Sequence, residues 1–146
     1  MELGPEWTAL GPWGLFLACF LAATVLPFSS EAVLAAMAIG PWSGALLWWV
    51  ATAGNWLGGM STYGLGRLGD PRAVTRWLRV DQRRAEAWHR RIRHWGPWAA
   101  LACWVPVIGD PIALALGLGR ARFWPTALLM LLGKAARYAV ILALMR

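Results

Sequence analysis

The chain has 146 residues and a mass of 16.0 kDa, enough for one ordinary domain and too little for two. Hydrophobic residues make up 59% and charged residues 14%, against roughly 45–50% and about 25% in soluble domains. That composition excludes a disordered chain and points away from a soluble one. The net charge is +7, but nine of the fourteen basic residues fall between positions 67 and 93. Long apolar stretches elsewhere carry almost no charge, so the reading is an integral membrane protein with no nucleic-acid partner. Glu2 and Glu6 precede the first apolar run and no Lys or Arg comes before Arg67, which is unlike a secretory signal with its basic start. Cys19 and Cys103 lie inside apolar runs without metal-ligand spacing and read as buried reduced thiols.

Residues 13–39 are apolar but broken near the middle by Pro27-Phe28-Ser29-Ser30-Glu31. Each half has about 13 residues, too few to span a bilayer at roughly 1.5 Å per residue. A hairpin that enters and leaves on one side fits that length. Gly40-Pro41 marks a turn, and residues 42–66 give one full crossing. Asp70-Pro71 reads as an N-cap followed by proline at the first helical position. Beyond it Val74, Leu78, Ala85, Trp88, Ile92 and Trp95 share one face of a basic helical segment, within which Asp81 caps a second helix and Gly96-Pro97 is a stop. A basic helix with Trp on its apolar face belongs on a membrane surface. Residues 97–119 are again apolar and broken, here by Pro106-Val107-Ile108-Gly109-Asp110-Pro111, and residues 123–145 form a last crossing that carries Lys134 and Arg137 near its centre.

The two broken segments match at an offset of 79: Pro27 with Pro106, Glu31 with Asp110, Gly40 with Gly119, and Gly54 with Gly133. A hairpin crosses the membrane zero times and the following helix once, so the second copy is upside down relative to the first. The expected fold is therefore an all-α integral membrane protein of two inverted repeats. Each is a re-entrant helical hairpin plus one transmembrane helix, and a basic amphipathic helical segment joins them. Within one membrane domain, 1–146, repeat one covers 13–66, the amphipathic segment 67–95 and repeat two 97–145. The positive-inside rule puts the basic segment and Arg120/Arg122 on the cytoplasmic side, with both termini outside. Inverted repeats with broken helices are a transporter architecture.

An ionised side chain at the bilayer centre costs about 2.5–3.5 kcal/mol on insertion scales and needs a partner or water. Two acids, Glu31 and Asp110, and two bases, Lys134 and Arg137, lie at the same expected depth. Asn55 stands at the repeat position equivalent to Lys134. One reading is a structural ion-pair cluster; the other is a site for a charged headgroup and for protons. Broken backbone at membrane depth, at Pro27, Pro106, Gly109 and Pro111, favours the second, because such backbone is tolerated only where it is buried in protein or lines an aqueous cavity. Gly54, Gly58, Ser61 and Gly64 form a small-residue face that packs a helix closely and permits a homodimer. Trp48, Trp49 and Trp124 read as interface or packing aromatics, and His89 and His94 as solvated. No phosphate loop, nucleophilic constellation or zinc motif occurs, so no cofactor, metal or catalytic residue is expected and the chain reads as a non-enzyme.

Leu26-Pro27-Phe28-Ser29-Ser30-Glu31, Gly54-Asn55-Trp56-Leu57-Gly58, Tyr63-Gly64-Leu65-Gly66-Arg67, Trp104-Val105-Pro106-Val107-Ile108-Gly109-Asp110-Pro111 and Gly133-Lys134-Ala135-Ala136-Arg137-Tyr138 together resemble the YqaA branch of the DedA superfamily, also known as VTT-domain or SNARE-associated Golgi proteins. The broad family has Pro-Gly-Glu where Ser29-Ser30-Glu31 stands, and carries arginines in its second hairpin that are missing here, where only Arg137 and Lys134 could stand in. The resemblance implies facing re-entrant hairpins in a bacterial inner membrane and membrane lipids as partners. It also implies a flippase or scramblase activity on a phosphate-bearing lipid, such as undecaprenyl phosphate or a phospholipid, with proton coupling. Arg137, Lys134 and Asn55 would then bind the headgroup, and Glu31 and Asp110 carry protons. A cation/proton antiporter uses the same acids without a lipid path, and an intramembrane headgroup enzyme lacks a nucleophile here.

Overall fold

The computed structural model describes residues 9–24, 29–70, 72–73, 76, 81–105 and 108–145. Six α-helices cover most of them, and no strand occurs among the described residues: α1 (Pro12–Ala22), α2 (Ser30–Ala38), α3 (Gly44–Leu68), α4 (Gln82–Ala99), α5 (Gly109–Leu118) and α6 (Phe123–Leu144). A short 3-10 helix, Ala100–Trp104, links α4 to the chain before α5. The fold is all-helical, as expected. Pro12 opens α1 at a position where its missing N–H costs nothing. The Ser29 and Ser43 hydroxyls accept from the Ala32 and Leu46 amides to start α2 and α3. The Asp70 carboxylate accepts from the Arg72 amide at 2.9 Å, the capping role its sequence context predicts. Asp81 stands at the N-cap of α4 but makes no side-chain capping bond.

Helix directions follow from the contacts. Gly54 lies against the Phe16 carbonyl, Gly58 against that of Phe20, and the Thr62 hydroxyl donates to Ala23 O at 2.9 Å. Residue numbers rise together along both helices, so α1 and α3 are parallel. The end of α1 is thus level with Thr62, while α3 begins at Gly44, about 27 Å back along its axis. The chain returns over that distance between Thr24 and Gly44, and α2, about 13 Å long, lies within that return. Gly11, whose φ of 61° suits glycine, lies under the Trp42 indole where the chain enters α1. Helices α3 and α6 are antiparallel: Trp48 Nε1 donates to Ala135 O and Trp56 Nε1 to Ala127 O, each at 2.9 Å.

Among the described helices, α6 is the one long and apolar enough to cross a membrane by composition. Helix α3 has 25 residues, about 37 Å, but its apolar character is diluted by glycines and by Thr52, Asn55, Ser61 and Thr62. Its small-residue face packs closely at Gly54 and Gly58 as expected but not at Ser61 and Gly64, which corrects the expectation for that half. Gly54 and Gly58 touch α1 and Gly66 touches α5. Gly64 has nothing within 4 Å, and Ser61 is exposed.

Gly96-Pro97 does not stop the basic helix, a second correction. Helix α4 runs through Pro97 to Ala99 and tightens into the 3-10 turn. Gly96 is buried against Ala121 and Leu116, and the half-buried Ile92 packs against Gly119, so packing holds the backbone helical across the proline. Of the expected apolar face, Ile92 packs inward and Trp95 is exposed. Val74, Leu78, and the side chains of Ala85 and Trp88 lie outside what is described. Two buried clusters result, one centred on Leu15, Leu34, Met37, Leu47 and Tyr138, the other on Tyr63, Cys103, Leu116 and Met130. Cys19 and Cys103 are free and buried, as read from the sequence.

Candidate functional site

Pro27 and Pro106, expected as hairpin breaks, lie outside the described residues. The other two break residues begin α5. Gly109 is pressed against the Cys103 carbonyl, where a Cβ would sit 2.5 Å from that oxygen. Pro111 falls in the first turn, where helices accept proline.

Helix α6 carries both bases of the cluster, one turn apart, and each meets an acid from a different short helix. Lys134 Nζ lies 3.9 Å from Asp110 Oδ1 at the start of α5, and Arg137 forms an ion pair with Glu31 at the start of α2. Lys134 also donates to Asn55 Oδ1, while Asn55 Nδ2 donates to Cys19 O at 3.2 Å. All five polar residues singled out in the sequence are therefore brought to one neighbourhood around α6.

The two pairs differ in access. Lys134 is closed in, with its side chain 2% exposed, beside a 26% exposed Asp110. The Glu31 side chain is 34% exposed, beside a 12% exposed Arg137. Ser29, itself exposed, donates to Glu31 Oε2 at 3.4 Å, and Arg137 Nε is buried without a hydrogen-bond partner among the described residues. The Arg137 half is thus the open one, with spare donor capacity next to the N-terminal turn of a helix, a place that favours anions.

Sequence reasoning missed two contributors. Tyr138 and Ser30 share a buried 3.0 Å hydrogen bond that joins α6 to α2 beside the Arg137–Glu31 pair. The signal was present as a Ser and a Tyr next to the two charges, but a lone hydroxyl in an apolar run does not announce its partner. At the far end of α3, Tyr63 OH donates to Ala121 O at 2.5 Å and accepts from Arg67 at 2.8 Å. Trp48 is a packing aromatic with a bonded indole, whereas Trp49 and Trp124 are largely exposed. Among the described residues no three His, Cys, Asp or Glu side chains gather as a metal set.

Paired charges between apolar helices, with one helix long and apolar enough to span, are consistent with an all-α membrane protein. The VTT domain matches residues 26–146, and the chain belongs to that family. It is 39% identical over 139 residues to the inner membrane protein YqaA of Escherichia coli (strain K12), covering 92% of this chain and 91% of that one. The same figures hold for the inner membrane protein YqaA of Shigella flexneri. An uncharacterized protein of Haemophilus influenzae is 35% identical over 149 residues, covering 94% and 89% of the two chains. No solved structure matches. The kinship with the YqaA branch read from the motifs therefore holds, and the relatives' names support a bacterial inner-membrane location.

Proposed function

We propose that this protein moves a phosphate-bearing lipid between leaflets, with Arg137 as the headgroup anchor. The observation that carries the reading is the half-open Arg137–Glu31 pair at the head of α2. A lipid phosphate displaces Glu31, takes charge-assisted hydrogen bonds from the guanidinium and sits against the helix N-terminus. Glu31 and Asp110 take up protons as they leave their bases, and the acyl or prenyl tail stays in the bilayer. No chemical step is required of the protein, so it is a carrier and not an enzyme.

Contacts across the chain support the inverted repeat behind this reading. Asn55 and Lys134, 79 positions apart, bond to each other. The bonds Trp48–Ala135 and Trp56–Ala127 exchange places under the same offset. Val33, Leu34, Met37 and Ala51 of one cluster correspond to Ile112, Ala113, Leu116 and Met130 of the other. With two re-entrant hairpins, α3 and α6 are the two crossings, and the basic α4 faces the cytoplasm under the positive-inside rule.

The test is reconstitution into vesicles with a labelled short-chain polyprenyl phosphate and a labelled phospholipid. Arg137→Ala abolishes movement while the protein still inserts. Arg137→Lys restores part of it, because lysine keeps the charge without the planar fork. Normal movement by Arg137→Ala refutes the headgroup site. Chemically altered lipid in the products points to an enzyme, and sodium or potassium flux driven by a pH gradient without lipid movement points to an antiporter.

A further inference from the structure

We infer that Lys134 is not a headgroup ligand but the clasp that makes the two hairpins move together; the inference rests on the lipid-carrier reading above. Three elements meet at this one side chain, and a fourth is joined to it through Asn55. On one side it donates to Asn55 of α3, whose amide nitrogen is committed to the Cys19 carbonyl on α1, the first arm of hairpin one. On the other it faces Asp110 at the head of α5, the second arm of hairpin two. The result is a continuous polar relay, Cys19 carbonyl to Asn55 to Lys134 to Asp110, running from one hairpin to the other through both long helices. Asn55 can serve it in one orientation: with Nδ2 held by a carbonyl, Oδ1 faces the ammonium.

The space around Lys134 is shaped for a fixed side chain. A Cβ on Gly59 would stand 3.0 Å from Lys134 Cε and 2.9 Å from Met130 Sδ, so the missing side chain of Gly59 provides the trough in which the lysine stem lies. Lys134 is 1% exposed, so a phosphate arriving from the lipid side meets Arg137 first and cannot reach Lys134 without displacing Asp110. Coupling through a buried network requires that both ends have a contact to lose. Here hairpin two cannot swing away without Lys134 leaving Asp110, and the freed ammonium then pulls on the Asn55 bond that holds α1. Lys134 is a positioning residue, and its loss slows the cycle without weakening the grip on lipid.

The experiment uses the full chain in lipid nanodiscs and vesicles, with farnesyl phosphate as the probe. Lys134→Met is expected to leave the half-saturating probe concentration within about twofold of wild type while the maximal rate falls by about tenfold or more. Hydrogen exchange is expected to rise in peptides from both α1 and α5. Arg137→Gln is expected to raise the half-saturating concentration and leave exchange in α5 unchanged. The clasp is overturned if Lys134→Met weakens the probe as Arg137→Gln does, or if exchange rises in one hairpin alone. Should Lys134→Met fail to fold, Asp110→Asn cuts the same contact, and exchange in α1 decides. If instead Arg137→Gln leaves the half-saturating concentration unchanged, the lipid-phosphate reading falls, and the exchange result still judges the clasp.

Discussion

Two glycines on the same helix should respond to the same substitution with opposite signs. At Gly54 a new methyl group would stand 2.5 Å from the Phe16 carbonyl oxygen and 3.3 Å from Cys19 Cβ. Both neighbours are parts of α1 that cannot rotate away, so α1 must retreat by close to 1 Å. Overpacking of this kind costs about 1–3 kcal/mol. The retreat also stretches the Asn55–Cys19 and Thr62–Ala23 hydrogen bonds, each worth about 0.6 kcal/mol in a membrane protein. Against this stands the helix-propensity gain of Gly→Ala, at most about 1 kcal/mol. The net expectation for Gly54→Ala is destabilisation by about 1–3 kcal/mol. At Gly64 nothing lies within 4 Å, so only the propensity gain remains and Gly64→Ala stabilises by up to about 1 kcal/mol. Unfolding by SDS from mild-detergent micelles, followed by far-UV circular dichroism, measures both. If Gly64→Ala is the more damaging, or the two variants agree within about 0.5 kcal/mol, the packing of α1 on α3 described above is wrong.

Tyr63→Phe removes the hydroxyl that donates to Ala121 O and accepts from Arg67, at a cost of about 1–2 kcal/mol. Trypsin should then cut faster at Arg120 and Arg122, and an unchanged cleavage rate would contradict an anchoring role for Tyr63. Cys19 and Cys103, 0% and 1% exposed, should resist a maleimide in the folded protein and react together once SDS unfolds it. Fast labelling of either thiol in the native state would show that its cluster opens.

What was legible in the sequence is what one-dimensional pattern can carry. Apolar run length located α3 and α6 to within two residues at each end, and interruptions located the short arms α1, α2 and α5. Opposite charges in apolar surroundings have few ways to be satisfied, so Glu31, Asp110, Lys134 and Arg137 could be expected to converge. Which acid meets which base was not legible, because both bases lie one turn apart on α6 and only the packing of the hairpins separates them. The same limit explains Gly64, which shares the spacing of Gly54 and Gly58 but points where no helix lies. Gly96-Pro97 misled for a related reason: a local stop signal was overridden by burial of Gly96 against Ala121 and Leu116, a contact between residues far apart in sequence.

Because Glu31 is answered by Arg137 and Ser30 by Tyr138, the packing of α2 cannot be completed by the half of the chain that contains it. The cluster that includes Leu15 and Leu34 also needs Tyr138 and Leu142. During biosynthesis Glu31 leaves the ribosome about a hundred residues before its partner, roughly 5–20 s earlier at ordinary elongation rates. Through that interval Glu31 lacks the base that answers it in the folded protein, so α2 settles only once α6 has been made. The order of synthesis and the order of assembly are therefore reversed at this site: the later-made α6 is what lets the earlier-made α2 settle.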